Sequence, residues 1–127
     1  MITERPVHTT IPAADLDRAK AWYAEKLGLV PVRDIPTGVF YEAGHGTRFV
    51  MYPTPNAGQS PNTLMGFSTD DIEGDVAALK RSGVVFEEYD FPTLKTVDGI
   101  ATRGDVRSAW FKDSEGNILA LVQFPPA

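Results

Sequence analysis

An internal repeat constrains the fold of this chain more than any other feature of its sequence. Residues 11–29 resemble residues 67–84, and a shift of 56 positions aligns Asp15 with Asp71. Self-similarity of this kind indicates that one supersecondary unit occurs twice. The fold must therefore contain two related halves.

Both copies carry the signals of a short strand, an amphipathic helix and a glycine stop. Asp15 and Asp71 are suited to cap a helix, because a carboxylate accepts hydrogen bonds from the amides that the first turn leaves unpaired. Apolar residues recur at helical spacing after each aspartate. Gly28 and, one deletion later, Gly83 can adopt the left-handed conformation that ends a helix.

Three strand-like segments follow each predicted helix. They span residues 29–35, 39–43 and 47–53 in the first half, and 84–91, 106–112 and 117–123 in the second half. Each half is therefore expected to run strand, helix, strand, strand, strand. The sequence predicts an α+β protein of two tandem βαβββ modules.

The length of 127 residues is typical of a single domain, expected to comprise residues 1–127. We assign residues 7–53 to the first module, 54–62 to a proline-rich linker and 63–123 to the second module. Residues 90–104 form an insertion in the second half. Long insertions of this kind are typically loops that cover a site.

Composition excludes several classes of protein. The chain has no cysteine, which excludes a disulfide scaffold and thiol catalysis. Its net charge of −5, without a basic cluster, argues against a nucleic-acid partner. No apolar run approaches the ~20 residues of a membrane span, so no membrane partner is expected. The N-terminus lacks the apolar stretch of a signal peptide, and we expect a cytoplasmic protein.

The two modules, with the segments 11–23 and 110–123, resemble the vicinal oxygen chelate superfamily, which includes glyoxalase I, bleomycin-resistance proteins and extradiol dioxygenases. The resemblance covers residues 7–123. It implies a curved mixed sheet with a concave cleft, and a homodimer. It leaves the activity open, because one fold hosts isomerases, lyases, oxygenases, transferases and drug binders without catalytic activity.

The enzymes of this superfamily hold a divalent cation with four side chains. The resemblance maps those four positions onto His8, Val50, Leu64 and Ala120. Only the histidine has a donor atom, whereas a transition-metal site needs three or four protein ligands. We therefore expect neither a metal nor another cofactor.

Side chains alternate between the two faces of a strand, so these positions define a face. A second shift, of 70 positions, aligns the closing strands and maps Phe40 onto Trp110, which we expect to form two facing aromatic walls. The predicted ligand-binding residues are His8, Thr10, Phe40, Arg48, Val50, Tyr52, Leu64, Tyr89, Phe91, Trp110 and Ala120.

A mostly apolar cleft of this composition favours a metal-independent protein that binds an apolar or aromatic small molecule. Antibiotic sequestration or resistance is one such function, similar to that of the drug-binding members of the superfamily. The alternative is a glyoxalase-like lyase, isomerase or dioxygenase, with or without an atypical metal site. In that case His8 is the candidate acid–base group, although the sequence provides no clearly placed partner for it.

Overall fold

The computed structural model describes residues 1–126, which form two mixed sheets. The first sheet has the order β1-β4-β3-β2, with β1 parallel to β4 and the other pairs antiparallel. Its elements are β1 (Thr9–Ala13), α1 (Leu16–Trp22), β2 (Arg33–Ile35), β3 (Gly38–Glu42) and β4 (Arg48–Pro53).

The second sheet has the order β5-β10-β9-β8-β7-β6, with β5 parallel to β10. Its elements are β5 (Thr63–Ser68), α2 (Ile72–Arg81), β6 (Asp90–Phe91), β7 (Leu94–Val97), β8 (Ile100–Arg103), β9 (Val106–Lys112) and β10 (Ile118–Gln123). The α+β class and the two related modules are thus confirmed. Strands of the two sheets are not hydrogen-bonded to each other in the described chain, so the single curved sheet is divided in two.

The insertion at 90–104 is not the covering loop expected from the sequence. It folds into strands that extend the edge of the second sheet, because β7 pairs with β8 and β8 pairs with β9. Thr96 and Ala101 lie opposite each other on this hairpin and are both buried. The predicted strand at 84–91 is correspondingly reduced to β6 and one bridge from Phe86 to Phe111.

The helix signals in the repeat are confirmed. The carboxylates of Asp15 and Asp71 each accept a hydrogen bond from the amide three residues later, at 3.0 and 3.1 Å. Gly28 and Gly83 follow the two helices with φ angles of 70° and 94°. That left-handed backbone is readily adopted by glycine, which explains the residue type at both stops.

The first helical segment is one residue longer than the second, with 13 positions from Asp15 to Gly28 and 12 from Asp71 to Gly83. The structure accommodates the extra residue as a π-helical turn over Tyr23–Leu27. A π turn absorbs an inserted residue while the flanking turns keep their orientation. The one-residue gap needed to align the two repeats therefore corresponds to this π-helical turn.

The two modules share one hydrophobic core, and α1 joins them. The Tyr23 ring lies 5.7 Å from that of Tyr41 and 6.2 Å from that of Phe49, both in the first sheet. Trp22 lies 6.3 Å from Phe111 in the second sheet. Both sheets therefore turn their helix-covered sides toward the same interior. Their opposite sides point away from it.

Neither helix among the described residues has the length and apolar character of a membrane span.

Candidate functional site

Each sheet has a face directed away from the shared core, which we call its outward face. On the first outward face, Phe40 and Thr10 flank Val50 on the neighbouring strands. On the second, Trp110 and Gly66 flank Ala120 in the same way. Val50 and Ala120 are buried, yet neither belongs to the shared core. These faces are the candidate site.

Phe40 is half-buried at the centre of the first outward face. The guanidinium of Arg33, its direct partner on β2, lies 4.9 Å from the centroid of the Phe40 ring. This separation is within the range of a cation–π contact. Phe40 therefore lies between Val50 on β4 and Arg33 on β2.

Trp110 has the equivalent place on the second outward face and belongs to a larger aromatic group. Tyr89 meets it edge to face at 5.6 Å, and Phe91 stacks on Tyr89 at 6.1 Å. The guanidinium of Arg103 lies 5.9 Å from the Trp110 ring. Burial, followed by the charge of Glu87, raises the pKa of the Tyr89 phenol. This phenol therefore stays protonated and can donate a hydrogen bond at neutral pH.

Phe40 and Trp110 lie on different sheets, and the expectation that they face each other across a cleft stays a prediction. Within one chain both rings lie on the sides of their sheets opposite the residues of the shared core. Strand alternation identifies the correct face within each sheet, but it carries no information about how two sheets are oriented to each other. One chain therefore presents two half-sites.

Two predicted lining residues depart from the expected geometry. His8 directly precedes β1 and is exposed, as Thr10 and Arg48 are, so its contribution to the outward face stays a prediction. Leu64 lies at an irregularity where Ile118 pairs with Thr63 while Leu119 pairs with Met65. This bulge interrupts the alternation on which its placement depended, and Leu64 packs partly against the core. Leu64 is therefore not retained in the candidate site.

The remaining predicted residues lie where strand alternation put them. Thr10 and Arg48 are exposed, and Tyr52 is half-buried beside Pro12 on β1. Arg48 also lines a cavity of about 390 Å³ between the β3–β4 turn and β5. Tyr89 and Phe91 join Trp110 as described above. The structure brings these residues onto two faces, and what binds them stays a prediction.

The four positions that correspond to the metal ligands do not fit a cation. Val50, Leu64 and Ala120 have no donor atoms, and His8 is exposed. Within residues 1–126, no three His, Asp or Glu side chains are grouped as metal ligands. A transition metal needs at least three such donors in fixed geometry. The four aligned positions therefore do not provide a cation site of the kind that the enzymes of this superfamily use.

Sequence reasoning missed the two arginines. Arg33 and Arg103 are separated by the same 70 positions that separate Phe40 from Trp110. Applying the shift to every charged residue beside the predicted aromatic positions would have identified the pair. Arg33 was missed because β2 has only three residues, which is too short for a clear alternation of side chains.

Two further cavities lie outside the outward faces. A groove of about 690 Å³ separates α2 from the β7–β8 hairpin and is lined by Lys80, Lys95 and Arg107 among others. A smaller cavity of about 330 Å³ lies between the end of the first helix and α2, lined by Leu29 and Leu79. Neither Phe40 nor Trp110 is among the residues that line these two cavities.

Comparison with known proteins places the fold. An uncharacterized protein, YurT of Bacillus subtilis (strain 168), is 29% identical, and the match covers 92% of this chain and 97% of YurT. The crystal structure of UcmS2 superposes with a TM-score of 0.71 at 21% identity, covering 93% of this chain and 96% of that chain.

The crystal structure of TnmS3, an antibiotic binding protein from Streptomyces sp. CB03234, superposes with a TM-score of 0.63 at 24% identity. It covers 96% of this chain and 98% of that chain. At these identities the two structures establish the fold alone. A family model matches residues 5–121. The chain belongs to the Glyoxalase/Bleomycin resistance protein/Dioxygenase superfamily.

Proposed function

We propose that this protein binds a small molecule with an apolar or aromatic body and that it does so without a metal. The single observation that carries the proposal is the composition of the outward faces. Each presents an aromatic ring, Phe40 or Trp110, beside a small aliphatic residue at a position where the enzymes of this superfamily hold a cation. Rings and hydrocarbon bind planar organic molecules by stacking and desolvation.

We further propose that the binding unit is a homodimer in which the first outward face of one chain meets the second outward face of its partner. Within one chain the two half-sites lie on sheet faces directed away from the shared core, and a second copy would bring an equivalent of Trp110 opposite Phe40. A two-fold axis would then form two identical sites. Exposed apolar side chains near β2 and β6, namely Val30, Val32 and Phe91, provide surface for such an association.

Sequestration of an antibiotic is the biological role we propose for this binding. TnmS3, which shares the fold, is an antibiotic binding protein. Binding of this kind requires no catalytic group. Sequestration needs affinity alone, whereas turnover needs a donor and an acceptor near one bound atom.

Indole NMR signals provide the first test. The chain has two tryptophans, and Trp110→Phe identifies which of the two indole N–H signals belongs to the candidate site. Titration with 2-naphthamide, a neutral bicyclic aromatic, is expected to shift the Trp110 signal saturably. Trp22, which packs on Phe111, serves as the internal control and should not move. An unmoved Trp110 signal at millimolar concentrations of both this probe and 2-naphthoate, the carboxylate of the same shape, would overturn the proposal.

Mixing two variants tests the shared site. Phe40→Ala and Trp110→Ala should each abolish binding in a pure homodimer, because each would remove one wall of both sites. Subunit exchange between them creates mixed dimers in which one of the two sites is intact. About a quarter of the wild-type binding capacity should return if exchange is statistical. No recovery after verified exchange, or monomeric protein that binds with full capacity, would exclude a shared site.

A further inference from the structure

The two arginine–aromatic pairs repeat across the modules. Arg33, Phe40 and Val50 of the first module correspond to Arg103, Trp110 and Ala120 of the second, each separated by 70 positions. In both modules the arginine comes from the strand next to the aromatic residue and lies over its ring. An arrangement that occurs twice, with different aromatic residues, indicates a requirement for a guanidinium at this place.

Neither guanidinium is neutralised by the described part of the chain. Arg33 and Arg103 are exposed, and no carboxylate of residues 1–126 lies within 4.0 Å of either. By contrast, Arg18 and Arg107 each bind a glutamate, at 2.9 and 2.8 Å. Stacking orients the guanidinium plane while its N–H edges stay available to an acceptor.

The charge of the outward faces differs from that of the whole chain. On the first, strand alternation places Arg33 and Arg48 with one acidic residue, Glu42. On the second it places Arg103 and Lys112, the latter 3.9 Å from Glu87. The chain as a whole has a net charge of −5. A face with excess positive charge on an acidic protein attracts anions selectively.

We propose that the ligand is a planar aromatic anion such as an aromatic carboxylate, whose acidic group is bound by Arg33 of one chain and the partner's Arg103 in the proposed dimer. Its ring packs beside Phe40 and Trp110. Guanidinium binds carboxylate with two parallel, charge-assisted hydrogen bonds, which a neutral amide of the same shape cannot form. This inference rests on the proposed binding function and specifies the chemical class of its ligand.

Matched probes separate this inference from the proposed function. Affinities of 2-naphthoate and 2-naphthamide are measured by calorimetry and by the Trp110 indole signal, since these probes differ in charge but not in shape. We expect the carboxylate to bind at least about tenfold more tightly, with a preference that weakens at high salt. Equal binding, or tighter binding of the amide, would overturn the anionic ligand and leave the binding function intact. Failure of both probes to bind would overturn the two proposals together.

Arginine variants identify the groups responsible. Arg33→Gln and Arg103→Gln should each reduce the preference for 2-naphthoate, and the double variant should abolish it while 2-naphthamide binding is retained. Arg33→Lys and Arg103→Lys keep the charge but lose the planar fork, so they should give intermediate values. Arg81→Gln is the matched control, since Arg81 is exposed at the end of α2 and away from both rings. A preference that persists in the double variant would show that the anion binds elsewhere.

Discussion

The hydroxyl of Tyr23 donates a 2.7 Å hydrogen bond to a carboxylate oxygen of Asp113, 90 positions later in the chain. Both residues are buried, and the bond joins the first helix to the end of β9 in the second sheet. Burial first, and then the charge and hydrogen bond of Asp113, raise the pKa of the Tyr23 phenol well above its ordinary range. Tyr23 is therefore a permanent donor that fixes one module against the other.

Tyr23→Phe should lower the free energy of unfolding by about 1–2 kcal/mol. The variant keeps the ring and its packing but removes one donor from a buried carboxylate. Asp113 retains hydrogen bonds from the Glu115 and Asn117 amides and from the Asn117 side chain, which limits the loss. Urea unfolding monitored by circular dichroism measures the change, and an unchanged midpoint would contradict it.

Tyr41→Phe should have the opposite sign and serves as the matched comparison. The Tyr41 ring stacks on Phe49 at 4.7 Å, and its buried hydroxyl has no hydrogen-bond partner among the described residues. Removal of an unpaired buried hydroxyl is neutral or stabilising, by up to about 1 kcal/mol. The same urea experiment measures it. A loss of stability as large as that of Tyr23→Phe would reveal a partner for this hydroxyl.

Glu115 should make stability depend on acid pH. Burial alone would raise the pKa of its carboxyl, but hydrogen bonds from Arg18, the Asp15 amide and Ser114, with the Arg18 charge, lower it to about 2. A lowered folded-state pKa stabilises the protein above the ordinary value of 4.5, and this contribution is lost as the pH falls toward 2.

Glu115→Gln should therefore unfold more readily than the wild type at neutral pH, and the difference should shrink as the pH falls from about 4.5 toward about 2. Urea midpoints at several pH values measure it. Glu73→Gln is the control, because the Glu73 side chain is 71% exposed in its ion pair with Arg107, and the expected change is below about 0.5 kcal/mol. A difference between Glu115→Gln and wild type that is constant with pH would contradict the assignment.

Gly58 in the linker should tolerate no side chain. Its φ is +75°, and a Cβ atom would lie 2.3 Å from the Glu115 carbonyl oxygen in the β9–β10 turn. Gly28 has a similar φ of +70° but no atom within 4 Å of the equivalent position. Gly28→Ala should thus cost about 1 kcal/mol from backbone strain alone, and Gly58→Ala about 3 kcal/mol, since it adds a collision with backbone. Equal losses in urea unfolding would mean that the linker can move away.

Local features of the sequence predicted the individual elements well. Aspartate caps and glycine stops depend on contacts within one turn of the chain, so Asp15 and Gly28 reveal their roles without reference to the rest of the fold. Alternation within a strand likewise distinguishes Phe49, which is in the core, from Val50, which is not. It failed at Leu64, where a bulge breaks the period of two.

Features that depend on distant partners were not predictable in this way. The insertion at 90–104 contains turn-forming residues that suit a loop or a hairpin equally. It forms strands because β8 pairs with the edge of β9, a contact that the local sequence does not reveal. The π turn over Tyr23–Leu27 is visible in the sequence only as one unmatched residue in the repeat. For the candidate site, Phe40 and Trp110 were identified and Arg33 and Arg103 were missed.

The sequence by itself determined the two modules, the helix ends and the face on which side chains of the regular strands lie, because these follow from hydrophobic periodicity and from hydrogen bonds between near neighbours. Only the tertiary structure decided that the two sheets turn their helix-covered sides inward and their aromatic rings apart. That orientation depends on contacts such as those of Arg18 with Glu115, which span 97 positions and leave no periodic signal in the chain. Burial of a common core selects among the possible arrangements of the modules, and because it is non-directional it leaves no local pattern in the sequence.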